Sequence, residues 1–205
     1  YQGGQVELGR QILRAIEDTL AAAGDLSGKR IVVTAGPTWE PIDPVRFVGN
    51  RSTGKMGFAV AAEAFARGAA VTLVVGPGTL EPPIGPAVTR VTTADEMRRA
   101  VLAAAPDADA VVMAAAVADF RPETTADAKI KKEQGPPQVR LVPTPDILAE
   151  LGSVPGTVLV GFAAETQDLI ANATRKLNAK GAKLIVANDV SASDAGFAVD
   201  NNRVS

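Results

Sequence analysis

Arg30-Ile31-Val32-Val33-Thr34 is a short apolar run rich in β-branched residues, and Ala70-Val71-Thr72-Leu73-Val74-Val75 is a second, with a helical pattern over Gly57–Arg67 between them. Strand, helix, strand in that order reads as a parallel βαβ unit, because parallel neighbours need a crossover of helical length. The rhythm then continues. Further strands are expected at Ala110–Ala114, Val158–Phe162 and Leu184–Ala187, with helices at Ala94–Ala105, Pro145–Gly152 and Gln167–Gly181. The strand segments are nearly continuous in apolar character, which marks a sheet covered on both faces. The expected fold class is α/β: a Rossmann-like, doubly wound, mostly parallel sheet with helices on both faces. Ligands of such sheets bind beyond the carboxyl ends of the strands, where strand order reverses. The loops after Thr34, Val75, Ala114, Phe162 and Ala187 are therefore the places to search.

Two segments stand outside this rhythm. Val6 to Ala23 carries Leu8, Ile12, Leu13, Ile16 and Leu20 on one helical stripe closed by Gly24, so residues 1–27 read as a separate N-terminal helix and 28–205 as the α/β domain. Arg121 to Pro143 holds several charges, prolines and a Gly-Pro-Pro turn, with only Val139–Val142 strand-like. A connection of that length is usually a lid or a binding arm. The chain starts at Tyr1 without Met, as a fragment does, and Asp200–Ser205 looks like the beginning of a strand.

Composition narrows the chemistry. With 205 residues, one domain with a real core is expected. A formal net charge of −2 argues against bulk attraction to nucleic acid. The longest wholly apolar run, Ala110 to Ala118, is nine residues, too short for a membrane span. No signal peptide is visible, and zero cysteine is compatible with a reducing cytoplasm. Zero cysteine also removes thiolate nucleophiles, and zero histidine removes the imidazole base and the commonest transition-metal ligand. What remains is Lys, Arg, carboxylates, hydroxyls, amides and hard cations, a kit suited to phosphate chemistry.

Gly49-Asn50-Arg51-Ser52-Thr53-Gly54-Lys55-Met56-Gly57 comes close to a phosphate-binding P-loop, but Met56 stands where a hydroxyl should reach magnesium. The strand ending at Thr34 also lies well upstream. It reads as a basic, glycine-rich turn entering a helix, where an anion site or an ordinary Ser/Thr cap fits equally. The turn Thr34–Asp43 lacks the dinucleotide fingerprint. Met113–Pro122 runs a buried strand into Ala114-Ala115-Ala116, whose small side chains let a flat ligand approach, followed by Asp119 and Phe120. Lys129-Ile130-Lys131-Lys132 is either a solvated face or a closure over a triphosphate. Lys176 and Lys180 share one helix face, either exposed or gripping one polyanion. Thr144-Pro145 reads as an N-cap followed by proline at the first helical position, with Asp146-Ile147-Leu148 opening a helix and another anion cradle.

Taken together, Thr34–Thr38, Gly49–Gly57, Ala114–Pro122, Lys129–Lys132, Gly161-Phe162-Ala163-Ala164-Glu165-Thr166 and Ala187-Asn188-Asp189-Val190 resemble the bacterial phosphopantothenate–cysteine ligase family of coenzyme A biosynthesis, from about Gly28 to Ser205. The resemblance implies a cytoplasmic ligase that joins 4′-phosphopantothenate to L-cysteine with CTP and Mg²⁺ through an acyl-cytidylate. It implies Asn50 holding the developing oxyanion and Lys129 acting on the triphosphate with Lys176 and Lys180. Ala114, Ala115, Ala116, Asp119, Phe120, Pro145, Asp146, Ile147, Leu148 and Phe162 carry over to the nucleotide. Gly49, Asn50, Arg51, Ser52, Thr53, Gly54 and Lys55 carry over to the phosphopantothenate and intermediate side. Asp119 is assigned to ribose, base or metal without a choice among them, and no other metal ligand is named. The resemblance also implies a homodimer completing the site through the 121–143 flap, and a fused flavin-dependent decarboxylase beyond the N-terminal helix, with no flavin in this part. It implies last strands and a helix beyond Ser205, and no partner among nucleic acids or membranes.

Two rivals compete. A nicotinamide oxidoreductase lacks its fingerprint here, and the sole tyrosine is Tyr1, so a Tyr-x-x-x-Lys donor cannot form. A non-catalytic nucleotide-binding domain is harder to separate by sequence and calls for an assay.

Overall fold

The computed structural model describes residues 2–4, 9–13, 26–165, 168–189 and 201–203. In chain order the elements are β1 (Gln2–Gly4), β2 (Arg30–Ala35), β3 (Trp39–Pro41), β4 (Phe47–Gly49), α1 (Lys55–Ala66), β5 (Ala70–Val75), β6 (Ala87–Arg90), α2 (Ala94–Ala104), β7 (Ala110–Met113), β8 (Phe120–Pro122), β9 (Leu141–Pro143), α3 (Ile147–Leu151), β10 (Val158–Glu165), α4 (Leu169–Lys180), β11 (Leu184–Asp189) and β12 (Asn201–Arg203). The central sheet has six strands in the order β11-β10-β7-β2-β5-β6, every pairing parallel. The expected α/β, doubly wound class is what forms.

Period-two packing explains the two layers. Ile31, Val33 and Ala35 of β2, with Leu73 and Val75 of β5, join Val60, Ala61 and Ala64 of α1 on one face. Val32, Val74, Val111 and Leu159 turn the other way, against Met97 and Val101 of α2 and Ile147, Leu148 and Leu151 of α3. Gly57 sets how closely α1 approaches. A Cβ there would lie 2.6 Å from both Ala35 Cβ and Thr34 O, so only glycine fits.

Several elements differ from expectation. β6 is an unforeseen sixth strand, exposed along its length, and its four residues carry no burial pattern to read. β3 and β4 form an antiparallel hairpin held by stacking of Trp39 on Phe47, with ring centroids 4.2 Å apart. The strand expected at Val139–Val142 is β9, which pairs antiparallel with β8 across the long connection. β10 runs on to Glu165 because β11 pairs with it that far.

Of the expected N-terminal helix, residues 9–13 are helical, and Ile12 and Leu13 enter the core. Leu8, Ile16, Leu20 and Gly24 lie outside the described residues, as do Thr166, Gln167, Val190, Asp200, Val204 and Ser205.

The α3 start needs correction. The N-cap is Asp146, whose Oδ1 accepts from the Ala149 N–H at 3.0 Å. Thr144 instead donates its hydroxyl to Ala118 O at 2.6 Å. A five-residue helix already capped by a carboxylate is no anion cradle.

Candidate active site

Strand order reverses between β2 and β7: β5 and β6 extend to one side, β10 and β11 to the other. At the carboxyl ends of these strands lies a cleft of about 820 Å³. Its floor is Met113–Asp119. One wall is formed by Asn50, Ser52 and Gly54–Met56, the other by Thr144–Leu148 and α4, with Phe162, Ala163 and Asn188 behind.

The floor is suspended from β2 and the chain beyond it. Ala115 N–H donates to Thr34 Oγ1 at 3.0 Å, Ala116 N–H to Gly36 O at 2.9 Å, and Ala118 N–H to Thr38 Oγ1 at 3.0 Å. Asn50 Nδ2 donates to Ala116 O at 3.2 Å and to Val117 O at 3.0 Å. The Asn50 amide N–H groups thus meet the floor's carbonyls, and its contribution includes fixing that loop.

The first wall ends in the N-terminus of α1. Gly54 is its N-cap at φ 82°, a left-handed conformation glycine adopts without strain, and no side chain caps the helix. Gly54, Lys55 and Met56 line the cleft, so the positive end of the helix dipole lies at its edge.

The second wall is a helical stripe. Asn172, Arg175, Lys176, Ala179 and Lys180 of α4 line the cleft at the three- and four-residue spacing of one helix face. Lys176 Nζ donates to Phe162 O at 2.7 Å. Lys180 Nζ forms an ion pair with Asp146 Oδ2. Partial burial pushes the Asp146 carboxyl up, but the hydrogen bonds from Lys180 and the Ala149 N–H and the charges of Lys180 and Lys176 prevail, leaving it below its ordinary value. At the end of β11, Asn188 Oδ1 is buried without a hydrogen-bond partner, an acceptor that costs stability unless a ligand or water satisfies it.

Most sequence-predicted residues meet here: Asn50, Ser52, Gly54, Lys55, Ala114, Ala115, Ala116, Asp119, Pro145, Asp146, Ile147, Leu148, Phe162, Lys176 and Lys180. Gly49, Arg51 and Thr53 flank the wall without lining it, and Phe120 stands exposed in β8. The loop after Val75 does not reach the cleft. Sequence reasoning passed over Asn172 and Arg175, and it quoted Asn188 in a motif without giving it a role. The α4 stripe was the signal that contained the first two.

Lys129 lies apart, in the 121–143 arm. With Arg46, Ile130, Lys131 and Lys132 it borders a second cavity of about 1140 Å³. The arm is fastened to the β3–β4 hairpin. Buried Asp43 accepts from the Val45 and Arg46 N–H groups, from the Arg46 guanidinium and from the Ile130 N–H at 3.1 Å. Arg46 Nη2 also donates to Ile130 O at 2.9 Å. The Arg46 side chain, against the opposing effect of burial and aided by the three N–H donors, holds the Asp43 carboxyl far below the usual range. Among the described residues no helix is long and apolar enough to cross a membrane, and no group of three or more Asp or Glu side chains could hold a metal.

Residues 26–205 match the family described as the DNA/pantothenate metabolism flavoprotein C-terminal domain. The chain is 49% identical over 205 residues to the coenzyme A biosynthesis bifunctional protein CoaBC of Bacillus subtilis (strain 168), covering 98% of this chain and 50% of that protein. It therefore spans about half the length of that relative. The crystal structure of the C-terminal domain of a CoaBC protein superposes with a TM-score of 0.73 at 45% identity, covering 82% of this chain and 80% of the other. A Cab2 mutant in complex with phosphopantothenate-cysteine shares the fold, with a TM-score of 0.71 at 20% identity over 92% of this chain and 80% of that one.

Proposed function

The chain belongs to the DNA/pantothenate metabolism flavoprotein C-terminal domain family, and from that premise we propose that it is a cytoplasmic, CTP-dependent phosphopantothenate–cysteine ligase of coenzyme A biosynthesis. The observation that carries this reading is the cleft's charge. In a chain of net charge −2, Lys55, Arg175, Lys176 and Lys180 face Asp119 and Asp146 around an alanine floor. Such a cleft suits a flat base with an anionic tail. The coenzyme A role of the Bacillus relative and the ligand held by the Cab2 protein support the same assignment.

In the first step the phosphopantothenate carboxylate oxygen attacks the α-phosphorus of CTP, the bond to pyrophosphate breaks, and an acyl-cytidylate forms. The α4 cations and the α1 N-terminus neutralise the charge that must be brought together. In the second step the cysteine nitrogen attacks the acyl carbon, CMP leaves with the electrons of the single bond between that carbon and the phosphate oxygen, and the amine gives up a proton. Asn50, beside the α1 N-terminus, fixes the floor through both amide N–H groups, and it serves the developing oxyanion when one of them turns from its floor carbonyl to the acyl oxygen. Asn188 Oδ1 accepts from a ligand donor. Magnesium, normally held by one or two carboxylates together with phosphates and water, fits Asp119, an exposed carboxylate on the floor's edge. When bound it would supply charge neutralisation on the triphosphate.

We place Lys129 on the cleft of a second copy. β8 packs against β3 and β4, and these ribbons expose Val45, Phe47, Phe120 and Leu141, an apolar face suited to a homodimer.

The test mixes the protein with CTP, Mg²⁺ and phosphopantothenate, omits cysteine, and follows pyrophosphate. Release is expected. Intact CTP binding without release would make the chain a binding module, and equal rates with ATP would remove the cytidine assignment.

A further inference from the structure

β2 and β7 are paired in register up to Thr34 opposite Met113, and beyond that point the ladder opens. A single bridge remains, Pro37 beside Ala116. In the gap the floor's N–H groups are taken by what the β2 exit offers: the Thr34 hydroxyl, the Gly36 carbonyl and the Thr38 hydroxyl. Thr34 and Thr38 are both fully buried. Valine would fill the same space without placing an oxygen in the core, so packing gives no reason for a hydroxyl at either position. A backbone reason exists. Ala118 is itself buried, and without Thr38 its N–H would lose its partner. The hydroxyl proton of Thr34 in turn points to Met113 Sδ at 3.9 Å, which leaves its oxygen lone pairs to Ala115.

We propose that Thr34 and Thr38 are positioning residues of the cleft: through Ala115 and Ala118 their hydroxyls hold the alanine floor and Asp119 at the spacing the nucleotide requires. Thr38 has the greater leverage, because Ala118 directly precedes Asp119. In the next two peptides, Ala118 O is held by the Thr144 hydroxyl and Asp119 O by the Thr144 N–H at 3.0 Å. The floor is thus strung between two buried threonines and Thr144. The inference rests on the reading of the cleft as a CTP site, and its test has one arm that needs no nucleotide.

The experiment compares Thr38→Val with Thr38→Ser on the full chain. Val keeps the shape and removes the acceptor; Ser keeps the acceptor. Without ligand, amide hydrogen exchange over residues 114–119 is expected to quicken about tenfold in T38V, with β7 unchanged. With CTP, Mg²⁺ and phosphopantothenate, KM for CTP is expected to rise about tenfold while kcat changes less, and T38S is expected to lie within about threefold of the parent in both measurements. Unchanged exchange in T38V, or a T38S variant that behaves like T38V, overturns the positioning role. If the parent neither binds nor turns over CTP, the ligase reading fails, while the exchange comparison still decides whether Thr38 holds the floor. Should T38V not fold, Thr38→Cys against Thr38→Ser makes the same comparison, since sulfur is a poor acceptor.

Discussion

Asp146 and Lys180 stand 34 residues apart in sequence and meet as an ion pair at the rim of the cleft. One carboxylate does two jobs. Its Oδ1 caps α3, and its Oδ2 ties that cap to the last turn of α4. The pair fixes the distance between two parts of the second wall and offsets one of the cleft's four cations.

Replacing Asp146 with alanine removes both contacts. The expected loss of stability is about 1 kcal/mol, mostly from the cap, since a solvent-accessible ion pair adds little. Urea unfolding checks this. CTP affinity measured by calorimetry should become more salt-dependent, because Lys180 is no longer neutralised.

Asp43 is buried, and its carboxyl titrates far below the ordinary value because of Arg46 and three N–H donors. A depressed carboxylate stabilises the fold above its unfolded pKa and loses that contribution as pH falls through the folded value. Asp43→Asn should lower Tm by roughly 5 °C or more at neutral pH, and the gap to the parent should narrow only below about pH 4. Tm measured from pH 2 to pH 7 decides. Limited proteolysis of the 121–143 arm should also quicken, because Ile130 loses its clamp.

Gly57→Ala drives a methyl to 2.6 Å from Ala35 Cβ and Thr34 O, neither of which can move without shifting β2. The expected cost is about 1–3 kcal/mol by denaturant unfolding. Because α1 must retreat, KM for phosphopantothenate or CTP should rise as well. A variant of unchanged stability would show that the helix stands further from the sheet.

Asn50→Ala should still release pyrophosphate but pass the acyl group to cysteine about a hundredfold more slowly, measured by quenching and separating the acyl-cytidylate. Normal turnover would reject an oxyanion role. In mixed dimers, Lys129→Ala on one copy combined with Asn50→Ala on the other should leave one intact site if Lys129 acts across the interface.

How far the cleft was legible depended on the range of the contact. Arg30–Thr34 and Ala70–Val75 announced parallel strands because burial on two faces imposes a continuous apolar run that any reader of the chain sees. The Asn50 loop and Ala114–Ala116 were legible for a related reason, since glycines and alanines in sequence mark close backbone approach. Arg175 was overlooked beside Lys176 although the stripe Asn172, Arg175, Lys176, Ala179 and Lys180 follows ordinary helical spacing. Thr144 was misassigned because a Thr-Pro pair is a good local helix start, and its tertiary bond to Ala118 O is invisible to local rules. β6 and β8 were missed because strands this short owe their existence to the neighbour they pair with.

By itself, the sequence determined the α/β class, the layers of the core, the motifs that gather at the cleft and the absence of imidazole and thiol chemistry. These follow from periodicity and composition, which act over a few residues or none. Tertiary structure decided that strand order reverses between β2 and β7, that Lys180 is paired with Asp146, that Lys129 sits on an arm clamped by Asp43, and that Thr34 and Thr38 hold the floor. Each of these joins groups about thirty to ninety positions apart, where hydrogen bonds and charges act over a few ångströms and only the folded chain brings the partners within reach.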